Sequence, residues 1–191
     1  MISDVEVKKN RKSLILMFSI GLVPVLVAYV VYVFFPQLLP TTTTNQGELI
    51  SPSISHEQIG LTIEGHQWSL VVPLADNCNE GCEKLFYYAR QVNVALGKET
   101  KRVKRIMVTT QSSDAALIRT LKKKYPDMDL FEVDKSHATN VFSDVVDNFF
   151  SGEYIFLMDP NGNIMMYYTT ENAGHSMLKD IKFLLKVSNI G

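Results

Sequence analysis

Cys78 and Cys82 are the only cysteines in the 191-residue sequence, and their C-x-x-x-C spacing could carry chemistry. They fall where a short apolar, β-branched run, Gln67 to Pro73, gives way to a polar turn holding Asp76, Asn77, Cys78 and Asn79. Beyond that turn, Cys82, Leu85, Ala89, Val92 and Leu96 form a stripe with helical spacing. A helix N-terminus offers free amides and partial positive charge, which favour the thiolate that binds metal or attacks disulfides. Residues four apart share a helix face, so two thiolates can meet one soft ion such as Cu(I). They can also close on each other if Cys78 lies outside the first turn. A structural disulfide, or two unrelated small buried residues, is the plainer alternative.

Other ligand types are scattered. His56 and His66 precede the cysteine loop, His137 follows the third predicted strand, and His175 opens the last predicted helix. Of these, His137 has the best claim as a further metal ligand, because loops at strand ends can lie near the cysteine loop. Met107, Met158, Met165 and Met166 fall in predicted strands, where thioethers fill gaps in a core. Tyr87, Tyr88, Tyr167 and Tyr168 read as core or surface pairs. Lys122 to Lys124 face a helix's carbonyl end and water. No Walker loop, dinucleotide fingerprint, zinc-protease motif or Ser/His/Asp signature occurs, so nucleotide use and hydrolysis have no support.

The elements that must position the cysteines follow a βαβαβ order. A strand at 67–73 leads into the helix that stops at Gly97; Val103 to Thr109 is the next strand. Ser113 or Asp114 can cap a helix running to Tyr125, closed by Pro126, and Met128 to Val133 is a short strand. His137 to Phe150 reads as a helix. Tyr154 to Met158 and Ile164 to Thr170 flank the turn Asp159-Pro160-Asn161-Gly162-Asn163, a hairpin signal. A last helix spans about His175 to Val187. This order predicts an α/β fold, a mixed sheet covered on both faces in a thioredoxin-like sandwich.

Ahead of that domain, the 22 residues from Leu14 to Phe35 carry no charge and reach roughly 33 Å as a helix, enough to cross a membrane core of about 30 Å. Pro24 is tolerable inside such a span, with a kink as its expected cost. The run exceeds a signal peptide's apolar core, and no small-x-small cleavage site follows Phe35. Lys8, Lys9, Arg11 and Lys12 precede the span, whereas no Lys or Arg follows it until Lys84. The positive-inside rule therefore predicts a cytoplasmic N-terminus. Pro36 to about Ser55, with the run Thr41 to Thr44, reads as a tether. The expected organisation is a basic tail at 1–13, a transmembrane helix at 14–35, a linker at 36–60 and a folded domain at 61–191. Fifteen basic against eighteen acidic residues beyond the span give no nucleic-acid footprint.

The uncharged anchor, the unit from Trp68 to Leu96 with its C-x-x-x-C, and the Asp159-Pro160-x-Gly162 hairpin resemble the Sco/SenC family of thioredoxin-like copper proteins. Trp68-Ser-Leu, Tyr88-Ala-Arg-Gln-Val, Ala95-Leu-Gly-Lys, Leu157 to Met166 and Leu178-Lys-Asp to Gly191 resemble the small cytochrome-oxidase-associated membrane proteins of proteobacteria. The resemblance implies a bacterial inner-membrane protein with a periplasmic domain that assists assembly of cytochrome c oxidase, one of whose subunits would be its partner. It implies Cys78 and Cys82 as copper ligands, or as the redox pair that reduces a target's copper-site cysteines. In the copper chaperones a His stands nine residues before the hairpin proline; here that position is Ser151. A cis-proline facing the cysteines, usual in thiol–disulfide enzymes, has no counterpart among Phe149, Phe150, Ser151 and Gly152. The reading therefore favours an accessory protein over an enzyme, with thiol–disulfide exchange as the one catalytic activity in play. A non-catalytic assembly partner with a structural cysteine pair is the alternative.

Overall fold

The fold is described from a computed structural model that defines residues 4–35 and 44–188. Two compact units result, one up to Thr44 and one from Asn45 onward. In the first, helix α1 (Asp4–Phe34) runs through Pro24, and Arg11–Phe34 is long and apolar enough to cross a membrane. The helix begins ten residues ahead of the apolar run, so much of the expected basic tail is helical. Residues 36–43 of the expected linker and the terminal Ile190-Gly191 of the resemblance lie outside the described residues.

The second unit is built on a six-stranded mixed sheet in the order β1-β6-β5-β2-β3-β4. Its strands are β1 (Glu48–Ser55), β2 (Trp68–Pro73), β3 (Val103–Thr109), β4 (Asp129–Glu132), β5 (Tyr154–Met158) and β6 (Asn163–Thr169). β2, β3 and β4 run parallel; β5, β6 and β1 add antiparallel neighbours on the other side of β2. All of β2 is buried, as a central strand covered on both faces must be.

Alternation sorts the strand side chains to two cores. Leu70, Val72, Met107, Ile155 and Leu157 pack with Leu85, Phe86 and Ala89 of α2 (Glu80–Ala95) and with Met177 and Ile181 of α5 (His175–Val187). Leu121 of α3 (Ala115–Lys124), capped by Asp114, joins them. Val71, Ile106, Val108 and Phe156 face the opposite core, with Ala138 of α4 (Lys135–Val141), Phe142 and Phe149.

Two expected elements are corrected. Residues 48–55, read as tether, form β1: Glu48 pairs with Tyr167 and Ser55 with Asn163, while Ile50 and Ile54 are buried. Ile59 and Leu61 are buried as well, so the domain begins near Asn45 and not at 61. Pro52 masks this strand in the sequence, yet proline is acceptable on an edge strand, and β1 is an edge. The helix expected at His137 to Phe150 ends at Val141. The rings of Phe142 and Phe149 stack with centroids 4.4 Å apart. A continuous helix would separate residues seven apart by roughly 10 Å along its axis, so closing this aromatic core requires the chain to turn back.

Candidate disulfide site

The loop after β2 is fixed at both ends. Leu74 N–H donates to Val108 O (2.8 Å), and Asn79 caps α2 by accepting from Cys82 N–H (3.0 Å). Cys82 is thus the third residue of α2, in the turn where unpaired amides concentrate positive potential. Cys78 stands just outside the helix, and its Cα lies 5.1 Å from that of Cys82, with the two sulfurs joined as a disulfide.

The two cysteines differ in access. Cys82 is 1 % exposed and belongs to the core beside Leu85, whereas Cys78 is half-buried at its edge. Outside Cys78 lies an open groove of about 580 Å³ walled by Asn79, Glu80, Glu83, Lys84, Tyr87, Lys124 and Tyr125. Lys124 Nζ pairs with Glu83 Oε2 at 2.8 Å and lies 5.7 Å from the Tyr125 ring centroid. The Glu83 hydrogen bond pushes the Lys124 ammonium above its ordinary value. An incoming group therefore reaches Cys78 first, past one ion pair and two tyrosines.

Gly152, in the segment before β5, packs on the inner side of the disulfide. Its φ is +79°, and a Cβ there would lie 3.0 Å from both Cys82 Cβ and Ala75 Cβ. The chain carrying Ser151 therefore passes beside Cys82. Ser151 Oγ accepts from Glu153 N–H (3.2 Å).

His137 lies on α4, whose first residue, Lys135, forms an ion pair with Asp76 of the cysteine loop. That pairing brings α4 to the same end of the sheet. The His137 side chain is exposed, and its backbone N–H donates to Asp134 Oδ1 (2.7 Å). The Ser136 hydroxyl and then the His137 amide hold the Asp134 carboxyl below the usual range. No imidazole or thioether among the described residues lines the groove at Cys78. Among the described residues, no group of three or more His, Cys, Asp and Glu side chains is placed to hold one ion. The donors at this site thus suit two-coordinate Cu(I) once the disulfide is reduced, and offer no built third ligand.

His175 is exposed at the start of α5, and His56 and His66 lie at the turn between β5 and β6. Met107, Met158 and Met166 are buried in the cores. Asn79 as the cap, the groove wall at Lys124 and Tyr125, and the Gly152 contact were not singled out from sequence. An Asn three residues before Cys82, and a glycine just ahead of a strand, were the available signals.

The family described as transmembrane-like, thioredoxin-like, C-terminal domain matches residues 68–188. No curated protein matches the chain. Among solved structures, copper-bound yeast Sco1 is similar at 15% identity and a TM-score of 0.50, covering 64% of this chain and 80% of its own. The apo Sco1 protein of Thermus thermophilus is similar at 16% identity and a TM-score of 0.51, covering 75% of this chain and 99% of its own. Likeness at these identities is likeness of fold.

Proposed function

The chain belongs to the transmembrane-like, thioredoxin-like C-terminal domain family, and from that premise we propose that it is a membrane-tethered accessory protein exchanging disulfides through Cys78 and Cys82. Its target would be a cysteine pair of a cytochrome c oxidase subunit under assembly, and its domain would face the periplasm. The observation that carries this reading is the unequal exposure of the pair: Cys78 open to a groove, Cys82 buried at the start of α2.

In the reducing direction, the Cys78 thiolate attacks one sulfur of a target disulfide. A Cys78–target bond forms, the target S–S bond breaks, and its electron pair leaves on the second target sulfur, which takes up a proton. The Cys82 thiolate, favoured by the α2 N-terminus, then attacks Cys78 Sγ. That closes the Cys78–Cys82 disulfide and releases the first target sulfur as thiolate. The target gains two electrons, the protein loses two, and a dithiol reductant of the same compartment must restore the reduced form.

Cu(I) as cargo of the reduced pair is a second reading. The 5.1 Å Cα separation supports it, since two thiolates this close can converge on one ion. The fold shared with copper-bound Sco1 makes the comparison apt.

Trapping tests the main reading. Reduced Cys82→Ser chain should accumulate a mixed disulfide through Cys78 with a model disulfide peptide, whereas Cys78→Ser should accumulate little. Equal trapping by both variants would remove the basis for assigning Cys78 the attack. Cu(I) titration of the reduced chain against a competing chelator tests the second, and Ser151→His should tighten binding by supplying an imidazole beside Cys82. Unaltered oxidase assembly in cells carrying Cys78→Ser/Cys82→Ser would leave only a non-catalytic partner.

A further inference from the structure

His56 and His66 come from separate segments and meet on one turn. His56 Nδ1 lies 3.2 Å from Gly162 O, and His66 Nδ1 lies 3.2 Å from Pro160 O. A carbonyl oxygen can only accept, so each Nδ1 carries the proton of its neutral ring. Each Nε2 is left with a free lone pair. An Nδ1–H held by a backbone carbonyl is the outer-shell arrangement that orients a metal-binding imidazole and raises its basicity.

The support beneath the rings is well fixed. Asp159 Oδ1 accepts from Asn161 N–H (2.9 Å) and Asn163 N–H (2.8 Å), and Oδ2 accepts from Asn163 Nδ2 (3.0 Å). Gly162 has φ +85°, and a Cβ there would collide with the His56 ring. His56 N–H also donates to Gly162 O (2.8 Å), next to the β1–β6 pair Ser55 and Asn163. Both histidines line a single cavity of about 140 Å³, roomy enough for an ion with two or three waters at roughly 30 Å³ each.

We infer that His56 and His66 form a two-imidazole site for a late first-row divalent cation, over the turn between β5 and β6. Imidazole nitrogen suits Cu²⁺, Ni²⁺ and Zn²⁺, and Cu²⁺ stands highest in the affinity order for such donors. The site is separate from the disulfide. Ser69 at the start of β2 pairs with Met158, which precedes this turn, whereas Cys78 follows the opposite end of β2.

Cu²⁺ titration of the full chain in detergent, in the Cys78→Ser/Cys82→Ser background so that thiols cannot bind, tests the inference. One Cu²⁺ should bind, with pulsed electron paramagnetic resonance reporting the remote Nδ1 nuclei of two imidazoles. His56→Asn and His66→Asn, which can retain a donor near the Nδ1 position but lack Nε2, should each remove one imidazole signal and weaken binding more than about tenfold. His137→Asn and His175→Asn should change neither. Melting without metal separates fold from ligand, and the exposed His66 provides a second variant if His56→Asn loosens the turn. Absence of an imidazole-bound Cu²⁺, binding indifferent to both substitutions, or binding lost with His137 would overturn the site.

Discussion

Gly152 stands where an added side chain would press on the disulfide-bonded Cys82. Its φ of +79° disfavours any L side chain, and the Cβ of an alanine would press on Cys82 and Ala75. Gly152→Ala should cost more than about 1 kcal/mol in denaturant unfolding of the oxidised chain. A midpoint equal to that of the parent chain would show that the contact is easily relieved. Tyr168 sets a pH limit. Its hydroxyl donates to Asp180 Oδ2 (3.1 Å), and Asp180 also accepts the Gln46 and Gly47 amides at 2.8 and 2.9 Å. Burial pushes the Tyr168 phenol far above its ordinary range, and the Asp180 charge pushes the same way. The folded phenol therefore keeps its proton after the unfolded one ionises near pH ~10. Its stabilisation is complete below that pH and falls as pH rises further, by up to about 1.4 kcal/mol per unit. Tyr168→Phe should lower stability at neutral pH, by loss of the hydrogen bond, yet flatten the alkaline fall. Tyr154 and Tyr167, shifted upward chiefly by burial, contribute to the slope that remains. An alkaline limb identical in the variant would place its origin elsewhere.

β1 tests how the elements share the load. Without Ile50, Ile54 and Ile59 the second core loses three buried side chains, at about 1.5–3 kcal/mol each. That loss rivals the whole stability of about 5–15 kcal/mol expected of a domain. A chain beginning at Asn45 should therefore melt cooperatively, and one beginning at Leu61 should not; comparable melting of the two would make β1 dispensable. This strand was also the element least legible in the sequence. Pro52 and three serines break its alternation, and its place is set by Tyr167 and Met166 far along the chain. The inner strands and α5 were legible because their apolar runs and periodicity are local. The end of α4 was not, since the Phe142–Phe149 stack that turns the chain is a tertiary contact. The cysteine site divides the same way. Its location at a strand-to-helix handover can be read from residues 67–96, but the unequal exposure of the two sulfurs and the Gly152 contact depend on a segment before β5. The convergence of His56 and His66 on one turn is equally invisible in their spacing.

The molecule joins an apolar helix to a domain whose chemistry depends on its compartment, so orientation decides whether the proposed function is possible. A disulfide between Cys78 and Cys82 persists in an oxidising space and is reduced in the cytosol. Lys8, Lys9, Arg11 and Lys12 favour retention of the N-terminal side in the cytoplasm, and no cation interrupts the chain between the span and Lys84. Within the domain, the Asp180 carboxylate holds residues 46 and 47 next to β1's first residue, at the sheet end where Cys78 follows β2. The segment leading into β1 thus lies at the sheet end that carries the cysteine loop. An alkaline phosphatase fused after Gly191, active only after export, should be active in a Gram-negative bacterium. Replacing Lys8, Lys9, Arg11 and Lys12 with glutamine should lower that activity by removing the charge bias. Activity confined to a cytoplasmic reporter would place the cysteines among reductants, leave the disulfide open and withdraw the exchange mechanism together with the periplasmic assignment.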